Sequence, residues 1–139
     1  MKKYLLVPLL ICLAISACAS KENGRSLVES WRLTAYGPVD SPTPAVPDAD
    51  ATLTFGEDEI LTGTTGCNQL GADYSVEGDQ ITFGPIVSTL IACPDLPMAQ
   101  EDAMHQVLMD TATFNVEGDT LTIIKNDTVL VFEAVTTGS

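Results

Sequence analysis

Positive charge is scarce in this chain of 139 residues, which has six lysines and arginines against nineteen aspartates and glutamates. Nucleic-acid binding needs cationic side chains that neutralise phosphates, so this composition argues against nucleic acid as a partner. Electrostatic docking on an anionic leaflet needs a polybasic patch, which the sequence also lacks. We interpret the acidity as a surface property that favours solubility, with binding of cations or of a cationic partner as the alternative.

Metal-ligating and catalytic side chains are also few. His105 is the single histidine of the sequence, whereas zinc needs three or four well-placed nitrogen or sulfur ligands. The sequence has no glycine-rich phosphate loop, nucleophile elbow or EF-hand loop. The acidic groups at residues 48–50 and 57–59 are typical of solvated turns rather than calcium sites. We therefore predict no catalytic residue, no metal site and no cofactor.

The first 17 residues have the pattern of a secretory signal peptide. Lys2 and Lys3 precede an apolar run over residues 5–15, and this run is shorter than the roughly 17 residues that a spanning helix needs. The run ends at Ser16-Ala17-Cys18, which resembles the lipobox of bacterial lipoproteins. This resemblance implies cleavage before Cys18 and acylation of that cysteine. An uncleaved membrane anchor is the alternative.

The predicted processing sets the location and organisation of the chain. Ala19 stands where an inner-membrane retention signal has aspartate, so we expect a lipid-anchored protein of the cell envelope, on the periplasmic face of the outer membrane. Removing 17 of the 139 residues leaves 122, enough for a single domain. We divide the mature chain into a lipidated cysteine with a flexible tether over residues 18–26, a domain over 27–135 and a tail over 136–139.

Short alternating segments dominate the predicted domain. Trp31 and Leu33 fall on one face of an early strand, and residues 52–55 alternate polar and apolar side chains. Residues 38–50 contain four prolines and predict an extended loop between these strands. Residues 57–59 predict a turn, after which the chain runs back toward Gly63 as a further strand.

Two segments forty residues apart match each other closely. Residues 76–83 and 116–123 each carry Gly-Asp between two alternating runs, which is typical of a two-residue hairpin. Asn126-Asp127 predicts a weaker turn of the same kind. The sequence between the matching segments differs, so we interpret them as two hairpins of one sheet rather than as a repeat protein.

One segment breaks the strand pattern. Residues 98–112 follow Pro94 and Pro97, as the start of a helix commonly does. At helical spacing Asp102, Gln106 and Asp110 fall on one side. The opposite, apolar side consists of Ala103, Met104, Val107, Leu108 and Thr111. The predicted fold class is α+β and mostly β: a strongly curved, barrel-like antiparallel sheet with one packed amphipathic helix.

The cysteines narrow the chemistry further. Cys12 leaves with the signal peptide and Cys18 is acylated, so an even pair remains in an oxidising compartment. We predict a disulfide between Cys67 and Cys93, with two reduced buried cysteines as the alternative. A thiol enzyme that combines one of them with His105 is a further hypothesis, which a bond between the two cysteines excludes.

The segment around the first of these cysteines carries the densest motif. Gly66-Cys67-Asn68 is preceded by threonine and glycine, and a tyrosine follows seven residues after the cysteine. Together with the early tryptophan, the second cysteine and the helix followed by strands, this motif resembles that of the META domain, also called HslJ-like, over residues 27–134. Leu70 stands where the family often has an aromatic residue, and Gly71 falls one position earlier than the usual glycine.

The resemblance implies a small β-rich module that is often found on bacterial lipoproteins. Such modules are associated with heat shock, drug tolerance or virulence, without an agreed biochemical activity. The motif residues are then expected to be structural: Gly63 and Gly66 permit tight backbone paths, and Asn68 bonds main-chain groups that a turn leaves open. The alternative is a binding surface at four motif residues, namely Thr64, Thr65, Asn68 and Tyr74.

These observations lead to two functional expectations. The first is a monomeric, non-enzymatic envelope protein that supports stress tolerance or envelope integrity through binding or scaffolding. Its partners would be the membrane, through the acyl chains, and an envelope protein. The second is a module that holds a lipid tail or a hydrophobic peptide in an apolar cavity, as the pilot lipoproteins of secretion channels do.

Overall fold

The computed structural model describes residues 26–136, so the predicted signal peptide, Cys18 and most of the tether and tail lie outside the described residues. Within that range the chain forms ten strands and one helix. Their bounds are β1 Ser30–Pro38, β2 Thr43–Pro44, β3 Thr52–Phe55, β4 Ile60–Thr64, β5 Gln69–Glu77, β6 Gln80–Phe83, β7 Val87–Ser88, α1 Asp95–Val107, β8 Asp110–Glu117, β9 Thr120–Lys125 and β10 Thr128–Ala134.

Eight strands close into an antiparallel barrel in the order β1-β3-β4-β5-β6-β8-β9-β10. Pairing of β1 with β10 closes it, with Trp31 opposite Ala134 and Pro38 opposite Thr128. A register shift within β1 marks a bulge, which bends the strand as barrel closure requires. The predicted fold class, a mostly β chain with a barrel-like sheet and one helix, is confirmed.

The two ends of the barrel differ in construction. The turns between β3 and β4, β5 and β6, and β8 and β9 lie together because neighbouring strands are antiparallel; we call this the hairpin end. The turn between β4 and β5 and the start of β8 lie at the opposite end. Helix α1 covers that end, where Gln100 Nε2 donates to Thr65 O at 2.8 Å; we call it the helix end.

The predicted hairpins are present. Gly78 and Gly118 have positive φ angles of 61° and 58°, which two-residue turns favour and which glycine adopts without steric cost. Asn126, with φ 53°, makes the third turn of this kind. Because β6 pairs with β8, the two matching hairpins are neighbours in one sheet, as expected.

Side chains occupy the inside of the barrel. An eight-stranded barrel is just wide enough for its inward side chains to fill. Trp31 and Leu33 point inward from β1, as the alternation predicts, and Trp31 Nε1 donates to Leu27 O at 2.9 Å. The largest fully buried side chains are Trp31, Phe55, Phe132, Leu53, Leu61, Ile81, Met104, Leu108, Leu121, Ile123, Leu130 and Gln100.

The helix prediction is wrong at both ends. Helix α1 begins at Asp95, three residues before the predicted start, because Pro97 in the first turn sacrifices no intrahelical bond. It ends at Val107, and Asp110 has a left-handed φ of 56° that redirects the chain into β8. Thr111, assigned to the apolar helix side, therefore lies in β8 and is exposed. The buried side of the true helix includes Ala103, Met104 and Val107.

The proline-rich segment largely follows the expected course. It forms an extended loop with one short strand, β2, paired with β1. Its second half returns over the helix end, where Ala49 is buried and Val46 N donates to Gln100 Oε1 at 2.8 Å. None of the described residues belongs to a helix with the length and apolar character needed to cross a bilayer.

Candidate functional site

A cleft opens at the helix end, where the barrel wall is incomplete. Phe83, the last residue of β6, pairs with Asp110, the first residue of β8. The chain after Phe83 continues as β7, which pairs with β5 on one edge and with no described strand on the other. The cleft has a volume of about 530 Å³. Its lining, which we call the apolar cleft, includes Phe83, Ile86, Leu90, His105, Met109 and Asp110.

Large apolar side chains are exposed in and beside this cleft. The exposed fraction is 94% for Leu90, 77% for Val87, 60% for Ile91 and 53% for Met109. Leaving one large apolar side chain in water is ordinary, whereas several together are typical of binding surfaces. The sequence shows these residues, but their clustering depends on how the chain folds around α1.

A disulfide fixes one wall of the cleft. Cys67 and Cys93 are bonded, with their Cα atoms 6.0 Å apart, as the cysteine count predicts. The bond joins the β4–β5 turn to the segment that leads into α1. Because neither sulfur is available as a nucleophile in this state, the thiol-enzyme hypothesis is discarded.

Asn68 anchors the same wall through its side chain. Its Oδ1 accepts hydrogen bonds from Ile91 N at 2.6 Å and from Thr89 Oγ1 at 2.9 Å. Its Nδ2 donates to Ile91 O at 3.1 Å. The exposed apolar segment is thus held from beneath by a buried amide, which agrees with a structural role for the Gly-Cys-Asn motif.

Helix α1 places a carboxylate against this motif. Glu101 is buried and accepts from Thr65 Oγ1 at 2.5 Å, from Asn68 N at 3.2 Å and from Asn68 Nδ2 at 2.9 Å. Burial raises the pKa of Glu101, but hydrogen bonds from Thr65 and Asn68 and the nearby His105 outweigh it, so the pKa lies below its ordinary value. The charged carboxylate therefore ties the helix to the turn.

Gln100 and Glu101 were missed as core residues in the sequence. Gln100 is fully buried and its amide bonds three main-chain groups, those of Val46, Ala49 and Thr65. A usable signal was present for Gln100, since it precedes Ala103, Met104 and Val107 at the spacing of one helix face. The partners of Glu101 lie 33 and 36 residues away in sequence, so helical periodicity does not reveal them.

The four motif residues proposed as a binding surface do not form one. Thr65 and Asn68 are 0% and 1% exposed. Thr64 is half-buried, and its Oγ1 accepts from Gly66 N at 3.1 Å within the turn. The Tyr74 side chain lies beside Gly56 and Glu57 in the β3–β4 turn at the hairpin end, away from the other three. The expectation fails because the Thr65 hydroxyl and the Asn68 amide bond to Glu101 of α1, and the Asn68 amide also bonds to residues 89–91.

Tyr74 is a core residue with a satisfied hydroxyl. Its ring packs edge-on against Phe55 at a centroid distance of 5.1 Å, and its hydroxyl donates to Gly56 O at 2.7 Å. Burial raises the pKa of Tyr74, and the charges of Asp58 and Glu59 raise it further. The phenol therefore stays neutral at physiological pH and has a structural role.

The motif glycines behave as their expected role requires. A Cβ atom on Gly63 would lie 2.1 Å from Thr52 O, so only glycine lets β3 and β4 approach. Gly66 has φ 89°, and a Cβ there would lie 2.7 Å from Ala49 O. Both positions therefore serve backbone geometry rather than ligand contact.

The electrostatics around the cleft are acidic. Arg32 and Lys125 are the basic residues of the described range, and each is paired: Arg32 with Asp50 at 3.1 Å and Lys125 with Asp110 at 3.7 Å. Lys125 also donates to Met109 O. His105 lines the cleft, and its Nε2 is buried with no hydrogen-bond partner. Within residues 26–136 no group of three His, Cys, Asp or Glu side chains has a metal-binding arrangement.

Solved structures with a similar fold support the barrel assignment. An NMR structure of a protein from Burkholderia xenovorans shares 25% identity, with a TM-score of 0.64 over 78% of this chain and 83% of that one. A second NMR structure shares 15% identity, with a TM-score of 0.63 over 77% and 89%. A lipocalin-like protein from Bacteroides uniformis shares 17% identity, with a TM-score of 0.51 over 78% and 98%.

Sequence comparison gives a more specific assignment. No curated protein matches the chain. A family model, described as META domain, matches residues 25–136, which includes all of the predicted domain and all of the described barrel and helix. The resemblance inferred from the Gly-Cys-Asn motif is thereby confirmed, and the chain belongs to the META domain family.

Proposed function

We propose that this protein is a lipid-anchored envelope protein that binds a partner at the apolar cleft and so supports stress tolerance or envelope integrity without catalysis. Family membership and the lipocalin-like neighbour fit a binding type of fold. The lipobox-like Ser16-Ala17-Cys18 supports the anchor and the envelope location. The family's association with stress supports the physiological role.

The observation that carries the proposal is a filled barrel beside an open apolar cleft. Core side chains such as Trp31, Phe55 and Phe132 occupy the interior, so a ligand there would have to displace packed apolar groups. The cleft outside offers a ready volume and exposed apolar area instead. Binding is therefore expected at the helix end, on the outside of the barrel.

The direction of the chain adds to this proposal. The described chain starts at Ser26, and Leu27 and Val28 lie beside Glu57 and Tyr74 at the hairpin end. Because β1 then runs to the helix end, Ser26 lies at the end of the barrel opposite the cleft. An anchored protein would present the cleft away from its own membrane, where a partner in the periplasm can reach it.

The second candidate function is the holding of a lipid tail, and the same cleft supports it. The lipocalin-like neighbour shares this fold with a TM-score of 0.51, and Phe83, Ile86 and Leu90 offer an apolar lining. The orientation argued above favours a protein partner over acyl chains of the anchoring membrane. We therefore place lipid binding second.

Complementation tests the proposed function. Cells lacking the gene receive the full chain, a Leu90→Arg/Met109→Arg variant, or a Val39→Arg/Val76→Arg variant that adds the same charge at positions 44% and 45% exposed elsewhere. We expect the cleft variant to survive heat shock and exclude detergent as poorly as the deletion, at equal protein level. The control variant should restore both properties. Full restoration by the cleft variant would contradict the proposal.

A further inference from the structure

We infer that the apolar cleft takes an extended peptide segment in which apolar residues alternate with basic ones, added as a strand to the free edge of β7. This inference rests on the proposed function and names the chemistry of its partner. Three observations carry it: an unpaired strand edge, apolar walls on both sides of that edge, and an acidic surface on which the two basic residues of the range 26–136 are already paired.

The strand edge lies on the wall of the cleft. Among the described strands β7 pairs with β5 alone, through Val87 with Gly71 and Ser88 with Leu70. Thr89 N donates to Gln69 O at 3.1 Å. Because successive residues of an antiparallel strand direct their backbone groups to opposite edges, Ser88 directs its N–H and C=O away from β5. Ser88 also lines the cleft, so these groups face the space where another strand would lie.

The space beside that edge continues the line of a strand already present. β8 pairs with β6 from Thr113 to Asp110 and goes no further, because Asp110 turns the chain toward α1. A peptide added to β7 would extend the sheet beyond that point, as in other cases of strand addition. Main-chain hydrogen bonds would give affinity without regard to side chains.

The apolar walls suit alternate side chains of such a strand. Leu90 and Ile86 lie on the β7 side of the cleft, and Met109 and His105 lie on the helix side. In a strand every second side chain points to the same face, so alternate apolar residues would pack against these walls. The adaptable Met109, 53% exposed, is suited to fit more than one apolar side chain.

The negative charge of this protein determines which residues of the bound peptide lie between its apolar ones. The net charge is −13, and Arg32 and Lys125 are both engaged by aspartates of this chain. Asp110 at the cleft is already paired with Lys125. The exposed Asp95 and Asp102 lie on α1, the helix that supplies His105 to the cleft, and give a negative potential that attracts lysine or arginine. A second copy of this chain carries the same negative charge and is disfavoured by repulsion.

The test measures fluorescence anisotropy with the lipidated full-length product held in phosphatidylcholine nanodiscs, since a zwitterionic bilayer does not retain cationic peptides by charge. The probe is a fluorescein-labelled nine-residue peptide that alternates lysine with leucine or valine. Empty nanodiscs give the background. One control peptide has glutamate in place of lysine, and another carries N-methyl groups on alternate backbone nitrogens, which removes the hydrogen bonds of one edge.

Three results are expected. The lysine peptide binds, and the glutamate and N-methylated peptides bind at least about tenfold more weakly, which corresponds to about 1.4 kcal/mol. Leu90→Arg/Met109→Arg weakens the lysine peptide by a similar factor, whereas the charge-matched Val39→Arg/Val76→Arg variant does not. Added salt weakens binding because the charges that attract the peptide lie at the surface.

The outcomes separate this inference from the proposed function. Equal binding of the N-methylated peptide overturns strand addition, and equal binding of the glutamate peptide overturns the charge argument; cleft binding survives both. Cleft-dependent capture of a photoreactive fatty acid, without peptide binding, likewise overturns the inference and leaves the proposed function standing with its second ligand. If no probe binds and the cleft variant complements fully, both fail.

Discussion

The hairpin end and the helix end of the barrel are built by different means. At the hairpin end, turns such as that at Gly78 join strands that are adjacent in sequence, and local backbone preference determines them. At the helix end, the Cys67–Cys93 bond and the Glu101 network join segments 26 to 36 residues apart. The difference teaches that the exposed apolar cleft depends on long-range contacts, and that its walls are held more firmly than an exposed loop would be.

Among the variants that compare the two ends, removal of the disulfide should reduce the unfolding free energy most. For a loop of 26 residues, a Cys67→Ser/Cys93→Ser variant should lose about 3–4 kcal/mol of unfolding free energy in the chain-entropy account. Urea unfolding of the exported protein measures this loss. Hydrogen exchange should then accelerate most in residues 86–94. An equal acceleration in the hairpin turns would contradict the separate construction of the two ends.

Removal of the buried Glu101 carboxylate should cause the second largest loss of unfolding free energy. Glu101→Ala removes the carboxylate that accepts hydrogen bonds from the Thr65 hydroxyl and from both Asn68 N–H groups, and we expect a loss of about 2–3 kcal/mol. The adjacent Asp102→Ala, at an exposed position, should change stability by no more than about 0.5 kcal/mol. Similar urea midpoints for the two variants would show that the network does not stabilise the helix end.

A matched pair of glycine substitutions compares the two ends directly. Gly66→Ala at the helix end combines a positive φ with a contact 2.7 Å from Ala49 O, and should cost more than about 2 kcal/mol. Gly78→Ala at the hairpin end has the positive φ but open space around its Cβ, and should cost about 1 kcal/mol. Thermal unfolding of both variants measures which substitution costs more stability. A larger loss for Gly78→Ala would contradict this prediction.

Acid should produce the smallest of these effects. The folded-state pKa of Glu101 is lower than the ordinary 4.5, so its contribution to stability is present above pH 4.5 and is lost as pH falls through the folded pKa. Unfolding free energy should therefore decline below pH 4.5, and Glu101→Gln should reduce that decline. An unchanged pH profile in the Gln variant would assign the acid response to other carboxylates.

The same contrast explains what the sequence could reveal. The hairpins at residues 76–83 and 116–123 are predicted correctly, because alternation of polar and apolar residues and Gly-Asp turns depend on local sequence. The ends of α1 were misplaced because Pro97 is tolerated in a first turn, and because the strand start at Asp110 depends on pairing with β6. The motif alone does not show that Thr65 and Asn68 are buried, because the carboxylate of Glu101 that covers them comes from a helix distant in sequence.

The cleft could not be predicted from the sequence, because it too depends on contacts between distant segments. Leu90, Ile91 and Met109 are ordinary apolar residues in a linear chain, and similar ones such as Leu121 and Ile123 are buried. Their exposure follows from where β6 stops and β8 starts, which the barrel register decides. The cysteine count and the predicted oxidising compartment, by contrast, were sufficient to pair Cys67 with Cys93.

The most direct test of the central claim, binding of a partner at the apolar cleft, is photo-crosslinking in living cells of the native host with the full-length chain. A benzophenone amino acid replaces Leu90 or Met109 in the cleft, or Val39 or Val76 elsewhere. Binding at the apolar cleft predicts the same discrete adduct from Leu90 and Met109 and none from the two control positions. Adducts of equal yield from Val39 and Val76, or none from the cleft positions, would contradict the claim.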